Sequence, residues 1–205
     1  MQRITNTNLA LLLVAGATLA GGCSSGPDAA ATAKSMDRFN LETAKANDAI
    51  DQSVSTLKTL VQSPGDNLKS SYETFGKSLT ALEEQAEVVR ARAQEMKVRG
   101  EEFFKEWHEG SGTGLSADTQ GKLNISYAKI KEQMMGAKDA FTPFLAELKD
   151  VHTLLGLDLT ENGLQTAAPL VAKAQARAGD VKSRLTAVMD EVNAVRGLLA
   201  QKPAS

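Results

Sequence analysis

The most regular pattern in the chain lies in residues 67–108, NLKSSYETFGKSLTALEEQAEVVRARAQEMKVRGEEFFKEWH. Apolar or small residues recur there at steps that alternate between four and three: Leu68, Tyr72, Phe75, Leu79, Leu82, Ala86, Val89, Ala93, Met96, Gly100, Phe103 and Trp107. Because two helical turns take about seven residues, all of these residues share one face of an α-helix. Such a repeat favours left-handed coiled-coil packing. The stretch therefore predicts a helix roughly 60 Å long with one apolar stripe.

Three further tracts share this spacing and are separated by residues that form turns. The first tract covers residues 33–62 and ends at a Pro-Gly turn, because these two residues stop helices. The third tract follows a glycine-rich loop, and Ser116 is its predicted N-cap. Pro143 lies inside this tract and should bend it, since proline removes a helical hydrogen bond. The fourth tract begins after a predicted break at residues 156–160.

These tracts predict an all-α protein: an elongated antiparallel helical bundle or coiled coil of about four long helices after a signal peptide. The bundle domain covers residues 33–202. Short connections make neighbouring helices antiparallel, and extra apolar residues widen each stripe beyond the needs of a two-stranded coil. Some stripes could be completed by a second copy of the chain. We favour one chain that folds on itself, because four tracts of matched length suffice to close a core.

Small residues interrupt the stripes of the second and fourth tracts. They are Ala86, Ala93 and Gly100 in the second tract, and Ala167, Ala174 and Ala178 in the fourth. We expect these positions to let two helix backbones approach closely. The alternative is that they line a cavity for an apolar ligand.

Residues 1–22 have the layout of an export signal. Arg3 and the α-amine give a positive start, residues 9–19 form an apolar run, and three small residues follow. The run is too short for a membrane-spanning helix, which needs about 20 residues. Cys23, the only cysteine, comes next, as in the lipobox of bacterial lipoproteins, although Ala20 holds a place that is commonly Leu. We predict a lipoprotein signal peptide; the alternative is an ordinary secretory signal followed by an incidental cysteine.

Lipid on Cys23 would hold the chain at a membrane, because each buried methylene contributes about 0.8 kcal/mol. Residues 23–32 are rich in small and polar residues and are predicted to be a flexible tether. Ser24 follows the cysteine where an Asp would be expected of inner-membrane lipoproteins, so the chain resembles lipoproteins of the outer membrane. We therefore expect an outer-membrane, lipid-anchored protein that faces the periplasm.

Composition excludes several classes of function. The 23 basic and 25 acidic residues nearly balance, so no basic excess points to nucleic acid. One cysteine and two histidines, His108 and His152, do not form the paired motifs of a metal site. Adjacent carboxylates such as Glu83 and Glu84 point about 100° apart on a helix and do not form a catalytic dyad. We predict no enzyme activity, no catalytic residue, no metal site and no cofactor.

Two groups on the second tract could contact a partner. Arg90, Arg92, Lys97 and Arg99 form a basic band, which we interpret as a solvated face with ion pairs to the facing helix, or else as a surface for acidic partners. The aromatic residues Phe103, Phe104 and Trp107 lie near the end of the tract. They are a possible partner-docking patch, and the alternative is a hydrophobic plug at the tip of the bundle.

Three features carry a family resemblance: Cys23, the Phe103-x-x-x-Trp107 element and the third tract with Pro143. With them the chain resembles an uncharacterised family of bacterial lipoproteins, a domain of unknown function with predicted long coiled coils. The likeness covers approximately residue 40 to the end. It implies a lipoprotein of the Gram-negative envelope, and it carries over no catalytic residue.

The function predicted from the sequence is a non-enzymatic, structural or protein-interaction role. The chain would be held at the membrane through lipidated Cys23, with an envelope protein or a second copy as its partner and without nucleic acid. The alternative is a carrier or binding module that holds an apolar ligand between its helices. A hydrolase is the third class, and it would need a buried polar cluster that the apolar stripes do not supply.

Overall fold

The computed structural model describes residues 28–62, 67–108 and 116–200, without the side chains of residues 107 and 108. These ranges form four α-helices: α1 (Ala29–Gln62), α2 (Leu68–His108), α3 (Ala117–Leu157) and α4 (Glu161–Leu199). The described ranges contain no β-strand. The prediction of an all-α fold with four long helices is therefore confirmed.

Each helix begins at a residue whose side-chain oxygen accepts a hydrogen bond from the first turn. The four bonds are Ala31 N to Asp28 Oδ1 at 2.8 Å, Ser70 N to Asn67 Oδ1 at 3.0 Å, Thr119 N to Ser116 Oγ at 3.2 Å and Gly163 N to Thr160 Oγ1 at 3.4 Å. Such caps satisfy backbone N–H groups that have no partner inside the helix. The predicted N-cap Ser116 is confirmed.

Two helix boundaries differ from the predicted ones. Helix α1 begins at Ala29, so residues 29–32 are helical although the prediction placed them in the tether. The Asp28 cap and the burial of Thr32, which is 3% exposed, hold this first turn against α2. Helix α3 runs through Gly156 to Leu157, so the break before α4 is shorter than predicted. It also continues through Pro143.

The helices pack as an antiparallel bundle in which α1 contacts α2 and α4, and α3 contacts α4. Pairs across the α1–α4 interface run in opposite directions: Asp37 meets Arg196, and Asp51 meets Lys182. Helices α2 and α3 contact each other much less than the other neighbouring pairs do. In the described ranges α2 and α4 lie diagonally opposite without backbone contact, so the expected close approach of their small residues does not occur.

The half of the bundle nearer residues 63–66 and 158–160 is called the closed half. Its core combines the end of α1, the start of α2, the end of α3 and the start of α4. Phe75, Leu82, Phe144 and Leu148 are all completely buried there. Burial of a large apolar side chain contributes about 1.5–3 kcal/mol, so this cluster is a main source of stability.

The other half, called the open half, contains the start of α1, the end of α2, the start of α3 and the end of α4. Its core includes Met36, Phe39, Met96, Phe103, Leu123, Ile130 and Val192. The half carries two buried methionines, and Met134 packs beside them. Methionine fits irregular spaces better than branched side chains do, which suits a less regular interior.

The apolar stripes face the core as their spacing predicts. Leu82 and Ile130 are buried, and Leu185 is partly buried between the two core clusters. Charged residues link neighbouring helices at the surface, as in the Lys129–Glu191 pair at 2.6 Å. None of the described helices has the length and the apolar character that crossing a membrane requires.

Candidate functional site

The contact between α2 and α3, called the seam, is tight in the closed half because aromatic rings lie against glycines. The Tyr72 and His152 rings stack with centroids 4.6 Å apart. A Cβ on Gly76 would lie 2.9 Å from His152 Nε2, and one on Gly156 would lie 2.7 Å from the Tyr72 hydroxyl. The two helices can approach this closely only where a side chain is absent. His152 is partly buried, and its ring also contacts Phe75 of the core.

The seam closes a second time near the tip of the open half. Tyr127 packs against Gly100, where a Cβ would lie 3.0 Å from its Cε2 atom. The ring centroids of Phe104 and Tyr127 are 4.9 Å apart. The Tyr127 side chain therefore occupies the space next to Gly100, and it keeps the backbones of α2 and α3 apart at this point.

An apolar cavity of about 320 Å³ lies along the seam in the open half. Ala93 and Gly100 line the α2 wall, and Ile130 and Met134 line the α3 wall. Helices α1 and α4 contribute further lining residues, among them Met36 and Val195. The cavity volume is at the small end of the range for small-molecule sites, which is about 300–1,000 Å³.

Tyr127 lines this apolar cavity and carries a polar phenol group. Its hydroxyl oxygen is buried and has no hydrogen-bond partner among the described residues. A buried polar group without a partner costs free energy, on the order of 1–3 kcal/mol. Burial, and the nearby Glu101 carboxylate, raise the pKa of Tyr127 above its ordinary value of 10.0. The phenol is therefore protonated at neutral pH and can donate a hydrogen bond.

Three basic residues lie among the residues that line the cavity: Arg90, Lys97 and Lys131. Arg90 pairs with Glu87 at 2.5 Å, and Lys97 lies 3.9 Å from Glu101. Lys131 forms no ion pair with any described residue, and its Nζ atom lies 6.0 Å from the Tyr127 ring centroid. The cavity therefore combines an apolar interior with positive charge on both helices of the seam.

The predicted basic band of α2 is paired mostly within its own helix. Arg90, Arg92, Lys97 and Arg99 each face a glutamate three or four residues away. The expected ion pairs between these four basic residues and the facing helix are not found; α1 pairs with α2 here through Arg38 and Glu95, at 2.5 Å. Exposed pairs of this kind contribute less than about 1 kcal/mol each.

The predicted aromatic patch lies at the tip of the open half. Phe103 is only 4% exposed and belongs to the core, while Phe104 is partly buried against Tyr127. The two rings meet nearly edge to face, with centroids 5.8 Å apart. This is the arrangement of a hydrophobic plug for Phe103 and Phe104. The side chain of Trp107 lies outside the described residues, and partner docking at this tip stays a prediction.

The predicted lipidation site, Cys23, also lies outside the described residues. The same is true of the predicted signal peptide and of the tether up to residue 27. These predictions therefore rest on the sequence.

The described carboxylates whose pKa is lowered do not meet in one cleft. A hydrogen bond from Gln85 lowers the pKa of Glu42, and one from Lys129 lowers the pKa of Glu191. These two carboxylates lie at separate places, on α1 and α4. In the closed half, the Ser53 hydroxyl donates to the Ser78 carbonyl at 3.0 Å. The described residues contain no group of His, Cys, Asp and Glu that could hold a metal ion.

Sequence reasoning did not find the cavity on the seam. It raised the small residues Ala93 and Gly100 as a possible cavity lining, but it paired them with the fourth tract instead of the third. The role of Tyr127 was missed, because its regular place in the apolar stripe does not reveal that Gly100 lies opposite. The only sequence signal for the cavity was the pair of small residues Ala93 and Gly100, which lie seven residues apart on the apolar stripe of the second tract.

Comparisons with known proteins identify a family and no activity. No curated protein and no solved structure shows significant similarity to the chain. Residues 34–195 match the profile of a family described as a protein of unknown function, DUF2959. That range extends from the first turns of α1 to the last turns of α4, so it includes both halves of the bundle. The chain therefore belongs to the DUF2959 family.

Proposed function

We propose that this protein is a lipid-anchored envelope protein that acts by contact with another protein and not by catalysis. The observation that carries the proposal is the bundle itself: its core is mainly apolar, and the ion pairs of the described residues lie at the surface. An enzyme active site would bring perturbed titratable groups together. Among the described residues, the three groups whose pKa is shifted, Glu42, Tyr127 and Glu191, lie on three different helices.

The anchor would be the lipid on Cys23, and the outer membrane would be its destination. Five residues, 24–28, separate Cys23 from the start of α1. Such a segment spans at most about 18 Å. The start of α1 lies at the end of the open half, so this half would stay near the membrane surface. The closed half would project into the periplasm, because helices of about 40 residues are roughly 60 Å long.

Metabolic labelling with an alkyne analogue of palmitate tests the anchor. We expect the native chain to incorporate the label and the Cys23→Ala variant to lose it, with accumulation of precursor or release of soluble protein. Ser25→Ala is the matched control, because it changes a neighbouring small residue and keeps the thiol. Persistent labelling of Cys23→Ala would show that the processing site is wrong.

A second substitution tests the destination. The Ser24→Asp variant should keep its lipid but fractionate with the inner membrane, whereas Ser24→Ala should stay in the outer membrane. Outer-membrane fractionation of the Asp variant would contradict the assignment of Ser24 as the residue that determines sorting.

Photocrosslinking in living cells tests the contact role. A benzophenone amino acid at position 107, at the tip of α2, should capture a reproducible partner that mass spectrometry identifies. The same probe at position 73 is the control, because Glu73 is an exposed residue at the opposite end of the same helix. A monomeric chain that captures nothing from either position would count against a contact role.

A further inference from the structure

The cavity along the α2–α3 seam is unexplained by the proposed contact role. We propose that this cavity binds a free fatty acid, with the acyl chain between α2 and α3 and the carboxylate at the rim beside Lys97 and Lys131. This inference goes beyond the proposed function and holds whether or not Cys23 carries lipid.

The size and lining of the cavity select the acyl chain. The volume of about 320 Å³ would accommodate about ten groups of the size of a water molecule, and a methylene is of similar size. Most of the lining side chains are apolar, with Met, Leu and Phe the commonest types. Apolar surface of this kind does not hold ordered water well, and it gains free energy when an alkyl chain covers it. One chain of about ten carbons fits, whereas the two chains of a phospholipid do not.

The charges at the rim select the headgroup. Lys97 and Lys131 line the cavity from opposite helices, and Lys131 has no ion pair with a described residue. An anionic headgroup between them would form charge-assisted hydrogen bonds, whereas a cationic headgroup would be repelled.

The dimensions also argue against a helix from a partner protein as the occupant. An α-helix with side chains is about 10–12 Å across and would need a long groove. The cavity volume is only about 320 Å³, and the Tyr127 ring against Gly100 narrows the seam within it. This leaves space for a single slender chain.

A photoreactive decanoate tests the proposal. The protein is purified as cells produce it, held in phospholipid nanodiscs to avoid detergent, and illuminated with decanoate that carries a diazirine at its terminal carbon. We expect labelled residues on α2 and α3 within residues 93–104 and 123–135. Unlabelled decanoate should compete with the probe, and decyltrimethylammonium should compete at least about tenfold less well, as expected if two partly exposed ion pairs are lost.

Matched variants separate the cavity from the surface. Ala93→Leu should abolish labelling because its side chain fills the cavity, whereas Ala91→Leu on the exposed side of α2 should not change it. The double variant Lys97→Gln/Lys131→Gln should weaken competition by decanoate about tenfold and leave competition by 1-decanol unchanged. Circular dichroism and the midpoint of thermal unfolding verify that each variant is folded.

Three results would overturn the proposal. Labelling that Ala93→Leu does not reduce would place the probe outside the cavity. Equal competition by the anionic and cationic ligands would remove the role of the lysines. Labelling of Cys23→Ala but not of the native chain would assign the cavity to the chain's own lipid instead of a free fatty acid.

Discussion

The closed half and the open half of the bundle follow the same heptad spacing but differ in how α2 meets α3. In the closed half, the stacked rings of Tyr72 and His152 lie against glycines, and Lys149 pairs with Glu83 across the seam. In the open half, Gly100 also lies against an aromatic ring, that of Tyr127, but a cavity remains beside Ala93, Ile130 and Met134. Small residues thus close one part of the seam and open another. The outcome depends on which side chain lies opposite.

We expect the largest difference in the free energy of unfolding between substitutions of two phenylalanines on α2. Phe75→Ala in the closed half should reduce the free energy of unfolding by about 3–5 kcal/mol, because a rigid, fully buried core cannot collapse around the missing ring. Phe103→Ala in the open half should cost less, about 2 kcal/mol, because methionines beside the cavity can move into the space. Urea denaturation of both variants measures the difference. Equal losses would show that the two halves are packed alike.

A second comparison substitutes the seam glycines. Gly76→Ala should destabilise the protein by about 1–2 kcal/mol, because the new methyl meets His152, which its stacking on Tyr72 holds in place. Gly100→Ala should change stability by less than about 0.5 kcal/mol, because Tyr127 can shift toward the cavity.

Thermal unfolding of the two variants measures the contrast. Gly179→Ala is the control for helix propensity. An added Cβ has no neighbour within 4 Å there, so this variant should be stabilised by about 0.5–1 kcal/mol. If Gly179→Ala lowers the stability, the added methyl group must meet a neighbouring atom, and the solvent-exposed position of Gly179 on α4 would be wrong.

Filling the cavity should reduce the difference between the halves. Ala93→Leu should raise the free energy of unfolding by about 1 kcal/mol, since cavity filling adds apolar contacts without loss of helix propensity. Ala91→Leu on the exposed side should stay within about 0.5 kcal/mol of the native chain. Chemical denaturation without added ligand distinguishes them. A destabilised Ala93→Leu variant would mean that the space is too narrow for the added methyl groups.

The smallest expected effect concerns pH. The pKa of Glu191 is lowered by its hydrogen bond with Lys129, so its stabilising contribution is present above the ordinary pKa of 4.5 and is lost as the pH falls through the lowered value. Glu191→Gln should therefore lower the unfolding midpoint by about 1–3 °C at neutral pH. The difference should vanish in strong acid. Glu132→Gln, at an exposed position on α3, is the control, and an equal shift in both variants would exclude a specific role for the pair.

Much of the fold could be predicted from residue spacing. The stripes of all four tracts, the end of α1 at Gln62 and the Ser116 cap follow from helix periodicity and local backbone chemistry. The start of α1 was predicted four residues late, because alanines favour either a helix or a spacer until the Asp28 cap and the contacts of Thr32 are known.

The sequence by itself determined that this chain forms four long amphipathic helices, because helix periodicity and N-caps depend on neighbours a few residues apart. It also places the chain's only cysteine behind an export-like segment. Only the tertiary structure decided that Gly100 lies opposite Tyr127 and Gly76 opposite His152. These pairs join residues far apart along the chain, and their register is set by the volumes of the side chains on both helices. The cavity is a product of that register, so periodicity on one helix could not reveal it.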